Sequence, residues 1–219
     1  MNDIYNFISG PMVWVAFIIF IGGSLYKLIT MAIMVKQKEQ FIFSYMSLKF
    51  GARSIIHWLT PFATENMRKH PGFTVASFAF HICALLTPLF LLSHIVLFDE
   101  SWDISWWSLP DTVADIMTII VIVVCIFFLI RRLYYTHVKF LTSASDYIIL
   151  SIVAMPFITG FLAYHQWFGY KFFFLLHIIS GEIMLMAIPF TRLSHMFFAI
   201  FTRSYIGSEF GKVRHVKDW

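Results

Sequence analysis

The stretch that decides the fold runs from residue 74 to residue 98 and reads TVASFAFHICALLTPLFLLSHIVLF. It contains no Asp, Glu, Lys or Arg, and it exceeds the about 20 apolar residues that a helix needs to cross a bilayer. Its two histidines are His81 and His94. The segment therefore predicts a transmembrane helix, and ionisable side chains inside such a helix indicate a functional role because they are expensive to bury in lipid.

Four further segments have the length and composition of membrane-crossing helices. We predict these spans at about 13–35, 113–130, 147–164 and 172–201. The whole chain is 59% hydrophobic and only 13% charged, whereas a soluble domain is about 45–50% apolar and about 25% charged. So few polar residues exclude both a soluble globule and a disordered chain. The sequence predicts an all-α membrane protein, one domain of five transmembrane helices.

The basic residues predict the orientation of these helices. All of the 16 Lys and Arg residues except Lys27 and Lys171 lie in segment 36–71, between the third and fourth spans, or from residue 192 onward. The positive-inside rule places these regions in the cytoplasm of a bacterial inner membrane, with the N-terminus outside and the C-terminus inside. Segment 36–71 is interpreted either as an interfacial amphipathic segment or as a docking surface. We expect contacts with lipid and no nucleic-acid partner.

Four histidines fall inside the predicted spans, and their arrangement is typical of haem ligation. His81 and His94 lie in the second span, and His177 and His195 in the fifth. Imidazole is a common axial ligand of haem iron, and two histidines from facing helices can hold one haem. Because these spans run antiparallel, we predict that His81 pairs with His195 at an inner haem and that His94 pairs with His177 at an outer haem. The other interpretation is that all four are hydrogen-bonded within the bundle core.

The spacing within each span bears on this prediction. His177 and His195 are 18 residues apart, which on a continuous helix is about five turns and one face. His81 and His94 are 13 residues apart and fall about 140° apart around an ideal helix. The second span therefore supports two haems only if it is distorted, and Pro88 between its histidines can kink a helix.

Other ionisable residues suggest ion pairing, proton transfer or a quinone site. Lys27 and Glu182 lie within spans and predict either a structural ion pair or a proton-carrying or quinone-binding role. Asp115 and His165 lie at the predicted outer ends of the third and fourth helices. They are candidates to accept a quinol proton and to approach a quinone headgroup, although a helix-terminal acid and an interfacial cap are simpler interpretations. Arg192 is a candidate partner of a propionate of the inner haem. Arg131 and Arg132 are alternative partners, although both are also interpreted as membrane anchors at a helix end.

The two cysteines exclude several other cofactors. Cys83 and Cys125 lie within apolar runs, and the chain has no CxxC or CxxCH motif. The sequence therefore predicts buried free thiols and neither a zinc site, an iron–sulfur cluster nor a c-type haem. We find no nucleophile or hydrolytic motif, so we expect electron transfer rather than a complete catalytic cycle.

Several motifs resemble one known family. The sequences FLLH at 174–177 and PFTRLSH at 189–195 resemble the fifth helix of the respiratory nitrate reductase gamma subunit. The sequences RRL at 131–133, TSASD at 142–146 and IILS at 148–151 resemble its third connection and fourth helix. The resemblance implies a five-helix cytochrome b with two haems b, whose ligand spacing in the fifth helix matches that found here.

The chain also departs from that family. The histidines of its second helix are farther apart, and the base that the family carries near the start of the third helix is replaced here by Val113-Ala114-Asp115. These features, with MND at 1–3 and SGP at 9–11, are more similar to the cytochrome b subunits of sulfate-reducer redox complexes, the Tmc complex above all, with Hmc and Dsr as relatives. This resemblance implies a cytoplasmic iron–sulfur partner similar to heterodisulfide reductase and a periplasmic multihaem cytochrome c.

Together these features predict a dihaem membrane subunit of a respiratory redox complex. It would carry electrons from menaquinol or the periplasmic cytochrome c through the outer and then the inner haem to the iron–sulfur subunit. The alternatives are a cytochrome conduit without its own quinone site, a haem-free proton or solute transporter, and a passive anchor.

Overall fold

A computed structural model describes residues 2–218, and every regular element among them is helical. The α-helices are α1 (Asn2–Phe7), α2 (Val13–Lys38), α3 (Ile42–Tyr45), α4 (Leu48–Leu59), α5 (Glu65–Lys69), α6 (Pro71–Phe90), α7 (Leu92–Trp102), α8 (Asp111–Tyr134), α9 (Thr136–Leu141), α10 (Ala144–Tyr164), α11 (Tyr170–Phe190) and α12 (His195–Ser208). The segments long and apolar enough to cross a membrane are Asp3–Lys38, Pro71–Phe90, Asp111–Tyr134, Ala144–Tyr164 and Tyr170–Phe190. The prediction of an all-α membrane protein with five spans is confirmed.

The second span is broken between its two histidines. Helix α6 ends at Phe90, and α7 begins at Leu92 after Leu91 adopts an extended backbone with φ −74° and ψ 127°. Pro88, inside the last turn of α6, has no backbone N–H and crowds the preceding turn, which weakens a helix locally. The distortion that the sequence required between His81 and His94 is therefore present.

The fifth span is also broken, which the sequence did not predict. Helix α11 ends at Phe190, Thr191 is extended with φ −118° and ψ −174°, and a single 3-10 turn leads into α12. Thr191 Oγ1 accepts a hydrogen bond from the Leu193 N–H at 3.2 Å, so its own side chain caps the new turn. The prediction of one helix over 172–201 is wrong beyond Phe190. The prediction that His177 and His195 lie on one face assumed a continuous helix, so the break removes its basis.

The chain forms two compact units, one of which runs from Val75 to Gly181. Its core joins α6, α8 and α10 through Cys83, Val121, Cys125 and Phe157. Both cysteines are free and buried, as predicted from the sequence. This unit holds three of the four histidines in the predicted spans, so it positions most of the candidate site.

The other unit comprises the chain up to Thr74 and from Glu182 onward. Its helices α4 and α12 approach closely because small residues line the contact, and Ser54 and Ser208 are fully buried there. The Ser47 N–H donates to Ser208 Oγ at 3.1 Å. A Cβ atom on Gly207 would lie 2.7 Å from the Phe50 carbonyl oxygen, so no larger residue fits without displacing α4. Segment 36–71 is thus folded into short helices, and α12 covers one face of α4.

Candidate functional site

Two histidines from the second and fifth spans meet within the unit 75–181. The ring centroids of His94 and His177 are 5.9 Å apart, and the ring planes are inclined by only 14°. The two histidines predicted to hold the outer haem therefore contact each other through nearly parallel rings, and the ligation of a metal between them stays a prediction.

The hydrogen bonds of these rings determine which nitrogen is available for a metal. His94 Nδ1 lies 2.8 Å from the Pro88 carbonyl oxygen, and His177 Nδ1 lies 2.9 Å from the Pro156 carbonyl oxygen. A carbonyl only accepts hydrogen bonds, so each Nδ1 carries the hydrogen and donates it. Each Nε2 is then the basic nitrogen with a lone pair. Histidines that bind metals typically donate their other ring N–H in this way.

The remaining two histidines of the predicted ligand set show the same pattern. His81 Nδ1 donates to the Ser77 carbonyl oxygen at 2.7 Å, and His195 Nδ1 donates to the Arg192 carbonyl oxygen at 2.7 Å. His81 belongs to the unit 75–181 and His195 to the other unit. Both rings therefore have the tautomer of a metal ligand, and their pairing at an inner haem stays a prediction.

Two histidines outside the predicted ligand set make a contact through the other ring nitrogen. His57 Nε2 lies 3.1 Å from the Ala63 carbonyl oxygen, and His165 Nε2 lies 3.2 Å from Asp115 Oδ2. The shared Nδ1 contact therefore distinguishes the four predicted ligands from these two histidines. It is not a general property of the histidines in this chain.

Helix breaks and prolines supply the carbonyl groups that orient the rings. In a continuous helix the Pro88 carbonyl would accept from the N–H four residues later. Because α7 restarts at Leu92, that N–H belongs to a new first turn, and the Pro88 carbonyl accepts from His94 instead. The break thus orients a candidate ligand in addition to bending the span.

Gly160 of α10 makes room for the His177 ring. A Cβ atom at this position would lie 2.9 Å from both Cε1 and Nδ1 of His177, closer than real Cβ contacts come. Neither Gly160 nor Pro156 was predicted from the sequence. Glycine and proline are frequent in transmembrane helices, so neither residue carries a signal that a single sequence reveals.

The donor set suits haem better than a bare metal ion. Among residues 2–218 no group of three or more His, Cys, Asp or Glu side chains could hold a metal, and a structural zinc ion, for comparison, takes about four protein ligands. A histidine pair supplies two axial ligands, and a porphyrin supplies the remaining nitrogens. The residues present therefore fit a bis-histidine haem, with Gly160 and the two proline carbonyls fixing the rings.

Two of the three arginines predicted to bind haem propionates lie in the unit 75–181, and Arg192 lies in the other unit. Arg132 Nη1 lies 3.6 Å from Asp146 Oδ1, and Asp146 also accepts from the Ser143 N–H at 2.9 Å to cap α10. Arg132 therefore has a structural partner at the start of this helix. Arg131 lies in the last turn of α8, and Arg192 lies three residues before His195. A propionate role for these arginines stays a prediction.

The predicted ion pair between Lys27 and Glu182 is not formed. Lys27 Nζ lies 3.4 Å from Ser194 Oγ and 5.9 Å from the centroid of the Phe198 ring. Its long side chain therefore reaches the start of α12. Glu182 is only 4% exposed, and neither of its carboxylate oxygens has a hydrogen-bond partner among residues 2–218. Glu182 is thus a buried carboxyl group without a cation, and the proton-carrying and quinone-binding roles stay predictions.

Asp115 and His165, predicted separately as quinone candidates, contact each other. His165 Nε2 lies 3.2 Å from Asp115 Oδ2, and this contact joins the start of α8 to the end of α10. Aromatic rings surround the histidine, with Phe161 at 4.4 Å and Trp167 at 5.5 Å between centroids. The unit 75–181 thus carries a polar pair near one end of its helices in addition to the histidine pair.

Five apolar helices and a pair of half-buried histidines define a multi-pass membrane protein with a candidate cofactor site. No protein-family model matches the chain. It is 38% identical over 210 residues to a protein of Nitratidesulfovibrio vulgaris (strain Hildenborough), and the match covers 94% of this chain and 93% of that relative. The chain belongs to the same family as this protein.

Proposed function

We propose that this chain is a dihaem cytochrome b, the membrane subunit of a redox complex, and that it carries electrons across the membrane. The observation that carries the proposal is the His94–His177 pair, whose parallel rings lie 5.9 Å apart and both donate Nδ1–H to proline carbonyls. A half-buried histidine that only packs between helices needs no second imidazole ring at this separation.

The residues of the site would hold the cofactor and set its environment. When bound, haem supplies an iron that exchanges one electron at a time. The proline carbonyls keep His94 and His177 in one tautomer, and hydrogen bonds of this kind raise the basicity of the ligating nitrogen. The apolar core between α6, α8 and α10 excludes water from the same unit, which is a principal determinant of a haem potential.

His81 and His195 are proposed as the ligands of a second, inner haem, with Arg192 beside His195 as a partner for a propionate. Electrons would pass from the outer pair to this inner pair and on to a cytoplasmic iron–sulfur subunit. The donor would be menaquinol or a periplasmic multihaem cytochrome c.

One observation favours a second candidate function. Glu182 is buried without a hydrogen-bond partner in the described chain, which is typical of a carboxyl group that exchanges protons in a transporter. A haem-free transporter would be colourless when purified from its native membrane, whereas a cytochrome would show the absorption bands of haem.

Transmembrane electron transfer is the activity to test. We expect liposomes that contain the purified holoprotein and trapped ferricyanide to lose ferricyanide absorbance when dithionite, an anion that crosses lipid poorly, is added outside. The rate is expected to exceed that of protein-free liposomes and of liposomes containing the His177→Ala variant. A haem-loaded wild-type protein that reduces ferricyanide no faster than empty liposomes would contradict the proposal.

A further inference from the structure

We propose that helix α4 (Leu48–Leu59) lies along the membrane surface that is predicted to be cytoplasmic and binds anionic phospholipids there. An apolar face of the helix contacts the acyl chains, and a basic edge contacts the phosphate headgroups. The sequence left two interpretations open for segment 36–71, and this one assigns the segment to lipid rather than to a protein partner. The assignment goes beyond the proposed function, since it needs neither haem nor electron transfer.

The face of α4 that the described residues leave uncovered is apolar. Its exposed residues form an apolar stripe, which consists of Leu48, Ala52, Ile56 and Leu59. Leu48, Ile56 and Leu59 are 90%, 65% and 70% exposed. The members of the stripe are spaced by four, four and three residues, so they fall within about 80° of one another around the helix. A contiguous exposed apolar surface of this kind marks an interaction site.

The opposite face of α4 is small and polar, and it packs against the protein. Ser54 is fully buried, and a Cβ atom on Gly51 would lie 3.2 Å from the Cα atom of Ser204 in α12. The Arg53 guanidinium is also shielded, since its Nε and Nη2 atoms are inaccessible to solvent. A helix on the surface of a soluble protein has the reverse arrangement, with its apolar face toward the core. The outward apolar stripe of α4 is therefore typical of a helix that meets lipid.

The chain keeps α4 near the membrane at both of its ends. Residues 39–47 connect it to α2 in the first span, and residues 60–70 connect it to α6 in the second span. Even fully extended, segments of these lengths reach only about 30–40 Å. The first connection also carries Phe41 and Phe43, each 60% exposed. The bilayer is therefore an apolar phase within reach of the stripe, whereas a soluble partner has to be recruited.

Basic residues supply the charge that anionic headgroups require. Lys49 is exposed and lies about 20° beyond Ile56 around the helix, so it borders the apolar stripe. Segment 36–71 contains six Lys and Arg residues but only two acids, and one of these acids, Glu65, already lies 2.7 Å from Lys69 Nζ. Interfacial helices bind membranes through exactly this combination of apolar area and attraction between bases and anionic lipids. The chemistry of α4 thus matches a phospholipid with a negatively charged headgroup.

Quenching by nitroxide-labelled lipid measures contact between the stripe and the acyl chains. The full chain carries an environment-sensitive fluorophore on the introduced thiol of the Ile56→Cys variant and is reconstituted into vesicles of phosphatidylcholine and phosphatidylglycerol. The native Cys83 and Cys125 are buried, so the introduced thiol is the one expected to react. The matched control is Asn66→Cys, at an exposed polar position of α5. We expect at least about twofold stronger quenching at position 56 than at position 66, and equal quenching would overturn the proposal.

The headgroup preference is tested with the same labelled Ile56→Cys chain. We expect nitroxide-labelled phosphatidylglycerol to quench the fluorophore more than nitroxide-labelled phosphatidylcholine at the same mole fraction. This difference is expected to shrink when Lys49→Gln is added and to vanish near 1 M salt, where charges are screened beyond about 3 Å. Equal quenching by the two lipids at low salt would show that α4 does not select anionic lipid.

A second measurement uses the unaltered chain, so that it does not depend on the folding of a variant. Phosphatidylglycerol with a photoreactive acyl chain is expected to label residues 48–60 and to leave residues 64–69 unlabelled. Labelling of the membrane spans without residues 48–60 would overturn the proposal, and protection of residues 48–60 by a copurified soluble protein would assign the stripe to that partner instead. None of these readouts involves haem, so their failure would leave the proposed function standing, and a haem-free chain labelled at residues 48–60 would refute that function alone.

Discussion

The His94→Ala and His177→Ala variants are each expected to retain only the inner haem of the two haems that we propose for the wild type. Each change removes one axial ligand from a pair whose rings lie 5.9 Å apart, and one histidine alone does not hold a six-coordinate b-type haem. A pyridine haemochrome assay on the purified variants measures the haem content per chain. The matched control is His137→Ala, which removes an exposed histidine outside the predicted spans and is expected to keep the full haem content.

Rescue separates lost ligation from misfolding. We expect the His177→Gly variant to regain the missing haem when imidazole is added during purification, because the free base can occupy the space of the deleted ring. Retention of the full haem content in both alanine variants would show that His94 and His177 do not ligate a haem, and the pairing would be wrong.

The Gly160→Ala and Gly160→Val variants are expected to weaken the same haem in graded fashion. A Cβ atom at this position would approach two atoms of the His177 ring to 2.9 Å, so the ring must shift from its bond to the Pro156 carbonyl. We expect alanine to displace the absorption band or potential of the outer haem and valine to abolish its binding. A reduced-minus-oxidised spectrum with a redox titration measures both effects.

The control for this prediction lies on the helix that carries His177. A Cβ atom on Gly181 meets nothing within 4 Å, so Gly181→Ala is expected to leave the haem unchanged and to favour the helix slightly. If Gly160→Val binds both haems with wild-type spectra, the position of the His177 ring does not depend on Gly160, and the ligand geometry inferred here is incorrect.

The sequence predicted the coarse architecture because lipid imposes length and composition on each span. The charge-free segment 74–98 identified the second helix, and Pro88 gave the reason for its distortion. The same reasoning missed the break at Thr191, because a threonine is common in membrane helices and its capping role depends on the backbone around it. Pro189 near the end of α11 was a signal that a sequence-based analysis could have used.

The candidate site was predicted in part. The meeting of His94 and His177 followed from the antiparallel order of the spans, whereas the roles of Pro156 and Gly160 depend on which helix packs against His177. The Lys27–Glu182 ion pair, one of the alternatives that the sequence left open, is not formed, because tertiary packing brings Lys27 to Ser194 instead. Opposite charges in two spans do not by themselves determine register or rotation.

The measurement that tests the central claim most directly is the haem content of the wild-type chain purified from its native membrane. A pyridine haemochrome assay is expected to give two b-type haems per chain, held by the four histidines whose Nδ1 atoms donate to backbone carbonyls. A folded, colourless protein without haem would contradict the account and would favour the transporter in which Glu182 exchanges protons.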